Sequence, residues 1–140
     1  MTGNLDTDVK LKANLTLKAL ESNDVVLVHL KAPDLMGHDN NPKGKVASIE
    51  KFDELLLHIV ENRPEDTLII LAADHSTPCE RKEHSGDPVP IVFNGPSIRV
   101  DRNDKYNEID CAYGSLNRIT GSDFASLYFD YLWLTPKQGN

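Results

Sequence analysis

"VVLVHLKAPDLMGHDNNPKGKVASIEKFDELLLHIVENRPEDTLIILAA", residues 25–73, sets two short apolar runs on either side of an amphipathic stretch. Residues 25–31, "VVLVHLK", and 67–73, "TLIILAA", are rich in branched side chains and almost unbroken in apolar character. That is the pattern of strands buried on both faces. Residues 32–44 carry Pro, Gly and Asn signals and are expected to form a loop. From about 45 to 62, Val46, Ile49, Phe52, Leu55, Leu56, Ile59 and Val60 recur at helical spacing, with Lys51, Glu54 and His58 on the wet side. A strand, a helix and a second strand in this order predict a parallel crossover, so the fold class is α/β.

Outward from this unit, residues 6–21 predict another helix, with Asp6 and Asp8 placed to cap it and complement its dipole. Its apolar residues are Val9, Leu11, Ala13, Leu15, Leu17 and Leu20. A third strand is expected near residues 89–93, then short or irregular elements over 101–121. A closing helix over 122–133 is expected to be capped by Ser122 or Asp123. The tail "TPKQGN" is expected to fray. The length, 140 residues, fits one domain with a sizeable core.

The composition, 39% hydrophobic and 26% charged, is that of an ordinary soluble globular protein. A net charge of −7 without a Lys/Arg cluster argues against nucleic-acid binding. No apolar run is long enough to span a membrane and no signal segment precedes the first helix, so no membrane partner is expected. Two cysteines, Cys79 and Cys111, make no disulfide framework, and reduced thiols in a cytoplasmic protein are the simplest reading.

The chemistry collects where the apolar runs end. Asp34 and His38 follow the first run at a spacing of four, Asp74 and His75 follow the second at once, and His84 lies in the next loop. Ends of neighbouring parallel strands open on one crevice, so the two clusters are expected to converge. Imidazole and carboxylate together suit Zn, Mn or Fe. Asp34 and His38 could grip one ion from a single turn if their loop coils. Asp74 and His75, being consecutive, could serve different ions or different sides of one. Five candidate ligands exceed the needs of one catalytic metal with an open position, and a two-metal site fits phosphoryl chemistry. His29, inside a predicted strand, reads as a packed core residue. His58 reads as a surface residue, Cys79 as an ordinary loop cysteine, and Ser76, Thr77 and Ser85 as loop residues bonding backbone. Lys31 and Arg81 could face phosphate.

"VHLKAPDLMGHD" followed by "LAADHSTPCERKEHSGDPVPIVF" resembles the C-terminal metal-binding part of the archaeal-type 2,3-bisphosphoglycerate-independent phosphoglycerate mutases, in the alkaline phosphatase superfamily. "TGNLDTDVKLKANLTLKAL" and "CAYGSLNRITGSDF" resemble flanking segments of the same family. The resemblance implies an alkaline-phosphatase-like three-layer α/β/α fold with a mostly parallel sheet, incomplete here. It implies two divalent ions, manganese first, with zinc, cobalt or magnesium as substitutes. Asp34, His38 and His84 match the ligands of one ion, and Asp74 and His75 ligands of the other. The activity implied is interconversion of 3-phosphoglycerate and 2-phosphoglycerate, in glycolysis and gluconeogenesis, through a phosphoserine.

The family's nucleophilic serine, a further aspartate ligand and an inserted substrate-binding domain have no match in residues 1–140, which are expected to be the C-terminal portion of a longer protein. The opening "MTGNLDT" reads accordingly as the interior of a domain. The chain alone is expected to bind metal weakly and to be inactive, with a sheet edge open to a partner chain or to self-association. Competing readings are a phosphatase or another phosphotransferase of the superfamily, which reuses these ligands, or a non-catalytic metal-binding module.

Overall fold

A computed structural model describes residues 6–135. The expectations for "MTGNL" and for residues 136–140 of the tail lie outside the described residues. The elements in order are α1 (Val9–Leu20), α2 (Ala32–His38), α3 (Pro42–Asn62), β1 (Ile69–Ala72), β2 (Ile91–Asn94), α4 (Glu108–Cys111) and α5 (Gly121–Tyr131). They divide between two compact units. Residues up to Pro64 join Ser76–Gly86 in the first, and Glu65–His75 join the residues from Asp87 onward in the second.

The first unit holds α1, α2 and α3, with α3 packed against both of the others. Asp8 caps α1 as expected, its carboxylate accepting from Leu11 N at 2.9 Å. The buried face of α1 is Lys12, Ala13 and Thr16, while Leu11 and Leu15 of the expected stripe are exposed. On α3 the buried line is Ser48, Leu55 and Ile59, and Val46, Ile49 and Val60 face outward. Ala13, Leu55 and Ile59, with Ala32 and Met36 of α2, form the apolar interior. His58, expected on the wet face, is half-buried and donates from Nε2 to Asn14 Oδ1 at 2.8 Å, tying α3 to α1.

Two expectations are corrected here. Residues 32–44 are not a loop: Pro33 starts α2 and Pro42 starts α3, each near the first helical position, where a missing N–H costs nothing. Asn40, at φ 51°, turns the chain between them, and the Asn41 side chain accepts from Gly44 N to cap α3. Residues 25–31 form no strand. Val25, Leu27, His29 and Lys31 are exposed while Val26, Val28 and Leu30 are half-buried, so His29 is not a core residue either. A buried strand needs neighbours at hydrogen-bonding distance on its flanks, and among the described residues the sheet consists of β1 and β2 alone. The His29 carbonyl instead accepts from the buried Lys12 Nζ at 2.9 Å.

The sheet of the second unit is a single antiparallel pair among the described residues. β1 and β2 pair antiparallel, Ile69 opposite Asn94 and Ala72 opposite Ile91. The connection through residues 73–90 contains no helix, the element that usually carries a crossover between parallel neighbours. Phe93 of β2 meets Phe124 and Tyr131 of α5 at ring-centroid distances of 6.0 and 5.6 Å. Thr120 caps α5, rather than Ser122 or Asp123. It forms a reciprocal capping box in which Asp123 is the N3 partner. The chain is thus mixed helix and strand, and none of its described helices is long and apolar enough to cross a membrane.

Candidate metal centre

Because residues 32–38 coil, Asp34 and His38 stand one turn apart on one face of α2. The segment from Ser76 to Gly86 brings the third group. Pro78 O accepts from Arg81 N and Lys82 N at 3.0 and 3.1 Å, and Ser85 N donates to Ser76 O at 3.0 Å, closing the loop that carries His84. Asp34 Oδ1 lies 3.4 Å from His38 Nε2 and 3.5 Å from His84 Nε2. The ligand atoms of all three residues fall within 4.8 Å of one another.

These spacings fit a shared ion. Tetrahedral donors at about 2.0–2.2 Å from one metal stand about 3.3–3.6 Å apart. The tautomer fits as well. His38 Nδ1 lies 2.8 Å from the carbonyl of Lys82, and a carbonyl can only accept, so Nδ1 carries the proton. In the neutral ring the Nε2 lone pair then faces a carboxylate oxygen, an acceptor opposed to an acceptor that a cation between them relieves. A backbone carbonyl on the far ring nitrogen is the usual orienting partner of a metal-bound histidine. Lys82 presents that carbonyl from a left-handed conformation, φ 57°.

Asp34 is primed as an anion. Burial by itself would raise its pKa, but hydrogen bonds from Thr77 and Lys31 and the charge of Lys31 outweigh that. The carboxyl is held down to about 2, from an ordinary 3.8. Thr77 Oγ1 donates to Oδ1 at 2.7 Å, and Lys31 Nζ donates to Oδ2 at 3.0 Å. Two imidazoles and one carboxylate leave coordination positions open, the arrangement of a catalytic rather than a closed structural site.

A family profile described as the metalloenzyme superfamily matches residues 2–131. The chain belongs to the metalloenzyme superfamily. It is also similar to proteins named 2,3-bisphosphoglycerate-independent phosphoglycerate mutase. The one from Thermococcus kodakarensis is 42% identical over 139 residues, which are 99% of this chain and 34% of that protein. The one from Pyrococcus furiosus is 41% identical over the same length and shares. Among solved structures, the PH0037 protein from Pyrococcus horikoshii matches with a TM-score of 0.94 at 36% identity, over 99% of this chain and 42% of that one. This metalloenzyme chain therefore spans about a third of the length of the curated relatives it matches.

Of the five expected ligands, three converge in the first unit of the metalloenzyme. Asp74 and His75 follow β1 in the second unit, His75 Nε2 lying 3.4 Å from Asp74 Oδ2, with the Asp74 side chain 72% exposed. Cys79 is free, and its thiol sits 3.9 Å from Met36 O, a long contact for a weak donor. Lys31, considered for phosphate, is engaged with Asp34. Sequence reasoning missed the contributions of Thr77 and of the Lys82 carbonyl. A hydroxyl three residues past Asp74 was visible but undistinguished, and a backbone carbonyl leaves no signal in residue type.

Proposed function

We propose that this chain is the metal-binding part of a 2,3-bisphosphoglycerate-independent phosphoglycerate mutase, interconverting 3-phosphoglycerate and 2-phosphoglycerate through a phosphoserine formed on a residue outside it. The observation that carries the reading is the triad Asp34, His38 and His84, with the His38 tautomer fixed by Lys82 O and its Nε2 aimed at Asp34 Oδ1. The names of the relatives supply the substrate class. Asp34, His38 and His84 hold one divalent ion, and Asp74 and His75 are ligands of a second. Manganese is the expected metal, with zinc, cobalt or magnesium as substitutes. When bound, such ions lower the pKa of an attacking oxygen and neutralise phosphoryl charge.

The chain's own residues prepare for this. Lys31 and Thr77 keep Asp34 ionised far below neutral pH, so the carboxylate is available without first losing a proton. Lys82 O keeps the His38 proton on Nδ1 and leaves Nε2 for the ion. The half-exposed His84 completes the group beside His38, their ring centroids 5.1 Å apart. In the same reading residues 25–31 take up strand pairing within the longer protein, as part of a mostly parallel three-layer sheet.

The test is metal content and turnover together. The chain dialysed against Mn2+ is expected to retain the ion, and His84→Ala to lose it with helical content kept. Phosphorus NMR on the complete gene product is expected to show 3-phosphoglycerate converting to the 2-isomer, and release of inorganic phosphate in its place would make it a phosphatase. Turnover by the 140-residue chain alone would place the nucleophile within it and overturn the assignment.

A further inference from the structure

We propose that Thr77 is a positioning residue for metal binding, setting the Asp34 carboxylate against the two imidazoles. The inference rests on the reading of Asp34, His38 and His84 as ligands of a divalent ion. Thr77 is only 3% exposed. Its hydroxyl donates at 2.7 Å to Oδ1, the same Asp34 oxygen that faces Nε2 of both His38 and His84. A hydroxyl bonded to a carboxylate oxygen makes a charge-assisted bond and occupies one of its lone pairs, so the remaining one is directed toward the imidazoles.

Three neighbours fix the direction of that hydroxyl. The methyl and backbone of Thr77 lie directly over Gly37 on α2. A Cβ at Gly37 would come 2.5 Å from Thr77 O and 2.9 Å from Thr77 Cγ2, so only glycine leaves room. From the first turn of α3, Lys45 Nζ donates to Thr77 O at 2.8 Å. Ser76, next in the chain, is bridged to Ser85 beside His84. A β-branched side chain has few χ1 options. With Cγ2 seated on Gly37, the rotamer that remains points Oγ1 at Asp34. Thr77 therefore joins the helix that carries Asp34 and His38 to the loop that carries His84, and a change there acts on the geometry of the donors.

The experiment is calorimetric titration of the full chain with Zn2+ alone, and separately with Mn2+ alone, for the wild type, Thr77→Val, Thr77→Ser and His84→Ala. Metal-free thermal melting is recorded on each. Thr77→Val keeps the shape and removes the hydroxyl, and its affinity is expected to fall about 10- to 100-fold, the usual cost of losing a partner that orients a ligand. Thr77→Ser keeps the hydroxyl but loses the methyl that seats on Gly37, so its affinity is expected to lie clearly above that of Thr77→Val and at or somewhat below the wild type, with metal-free melting of both variants close to it. Wild-type affinity in Thr77→Val, with binding lost in His84→Ala, overturns the positioning role and leaves the metal centre standing. Wild-type affinity in His84→Ala overturns the metal reading and this inference with it. A Thr77→Ser chain as weak as Thr77→Val would make Thr77 a packing residue and overturn the proposal.

Discussion

Ala13, Ala32, Met36, Leu55 and Ile59, the buried apolar side chains among the described residues, all belong to the helical unit. The strand-bearing unit relies instead on Phe93, Phe124, Tyr128 and Tyr131, rings that meet tilted or stacked without any of them being fully buried. Local bonds do much of the remaining work there. Thr120 and Asp123 cap α5 reciprocally, Asn107 caps α4, and Asp101 accepts from Ser115 N and Asn103 N at 2.8 Å each. The difference is instructive because the converged triad sits on the unit with the interior. Donor atoms must be held to within a few tenths of an ångström, and side chains on packed helices meet that demand better than those in loosely covered segments.

The sharpest way to break this comparison is a paired truncation. Leu55→Ala removes the most enclosed large side chain and is expected to cost about 2–5 kcal/mol. Phe124→Ala, from a half-exposed site, is expected to cost less, about 1–2 kcal/mol, despite the larger side chain removed. Urea unfolding followed by circular dichroism compares them, and equal costs would mean that the second unit has a core of comparable worth. Next in size is Gly37→Ala, which forces a Cβ against the Thr77 carbonyl and is expected to destabilise by about 1–3 kcal/mol in thermal melts.

Acid sharpens the contrast further. Asp34 has a folded pKa near 2, below its ordinary 3.8, so its contribution to stability is complete above 3.8 and is lost as pH falls from there through 2. Melting temperatures are expected to drop over that window in the wild type and to drop less in Asp34→Asn. The smallest expected effect is Thr120→Ala, about 1 kcal/mol for a lost cap, read as reduced helicity and a lower urea midpoint.

The helices α1, α3 and α5 were legible because apolar residues at a 3.6 period and a polar cap are local properties of the chain. Even so, the buried faces of α1 and α3 match the expected stripes only in part, at Ala13, Leu55 and Ile59, since which neighbour covers a helix is not local. Helix α2 was hidden by its own composition: "APDLMGH" holds a proline and a glycine, read as loop signals. The proline starts the helix and the glycine makes room for Thr77. Residues 25–31 have strand composition, but pairing belongs to two segments at once and cannot be read from one. Residue type and spacing marked Asp34, His38, Asp74, His75 and His84 as candidate ligands, Asp34 and His38 being four apart, while the grouping of Asp34 with His38 and His84 came from the family resemblance. Thr77 was not, because a hydroxyl that aims a ligand looks like any loop threonine. In the sheet, short and almost unbroken apolar runs indicated strands, while their direction depends on which segments pair.

The Lys82 carbonyl has a consequence for how this molecule would be mapped by mutagenesis. What position 82 contributes to His38 is a main-chain oxygen offered from a left-handed turn, φ 57°. An alanine scan deletes side chains and leaves that oxygen in place, so it would score position 82 through backbone preference alone. Glycine, which adopts this conformation without steric cost, would be silent or mildly favourable there. Proline, confined to φ near −65°, would turn the carbonyl away and release the His38 proton from its site. A survey by side-chain removal would thus pass over one of the groups that decide which nitrogen of His38 is free.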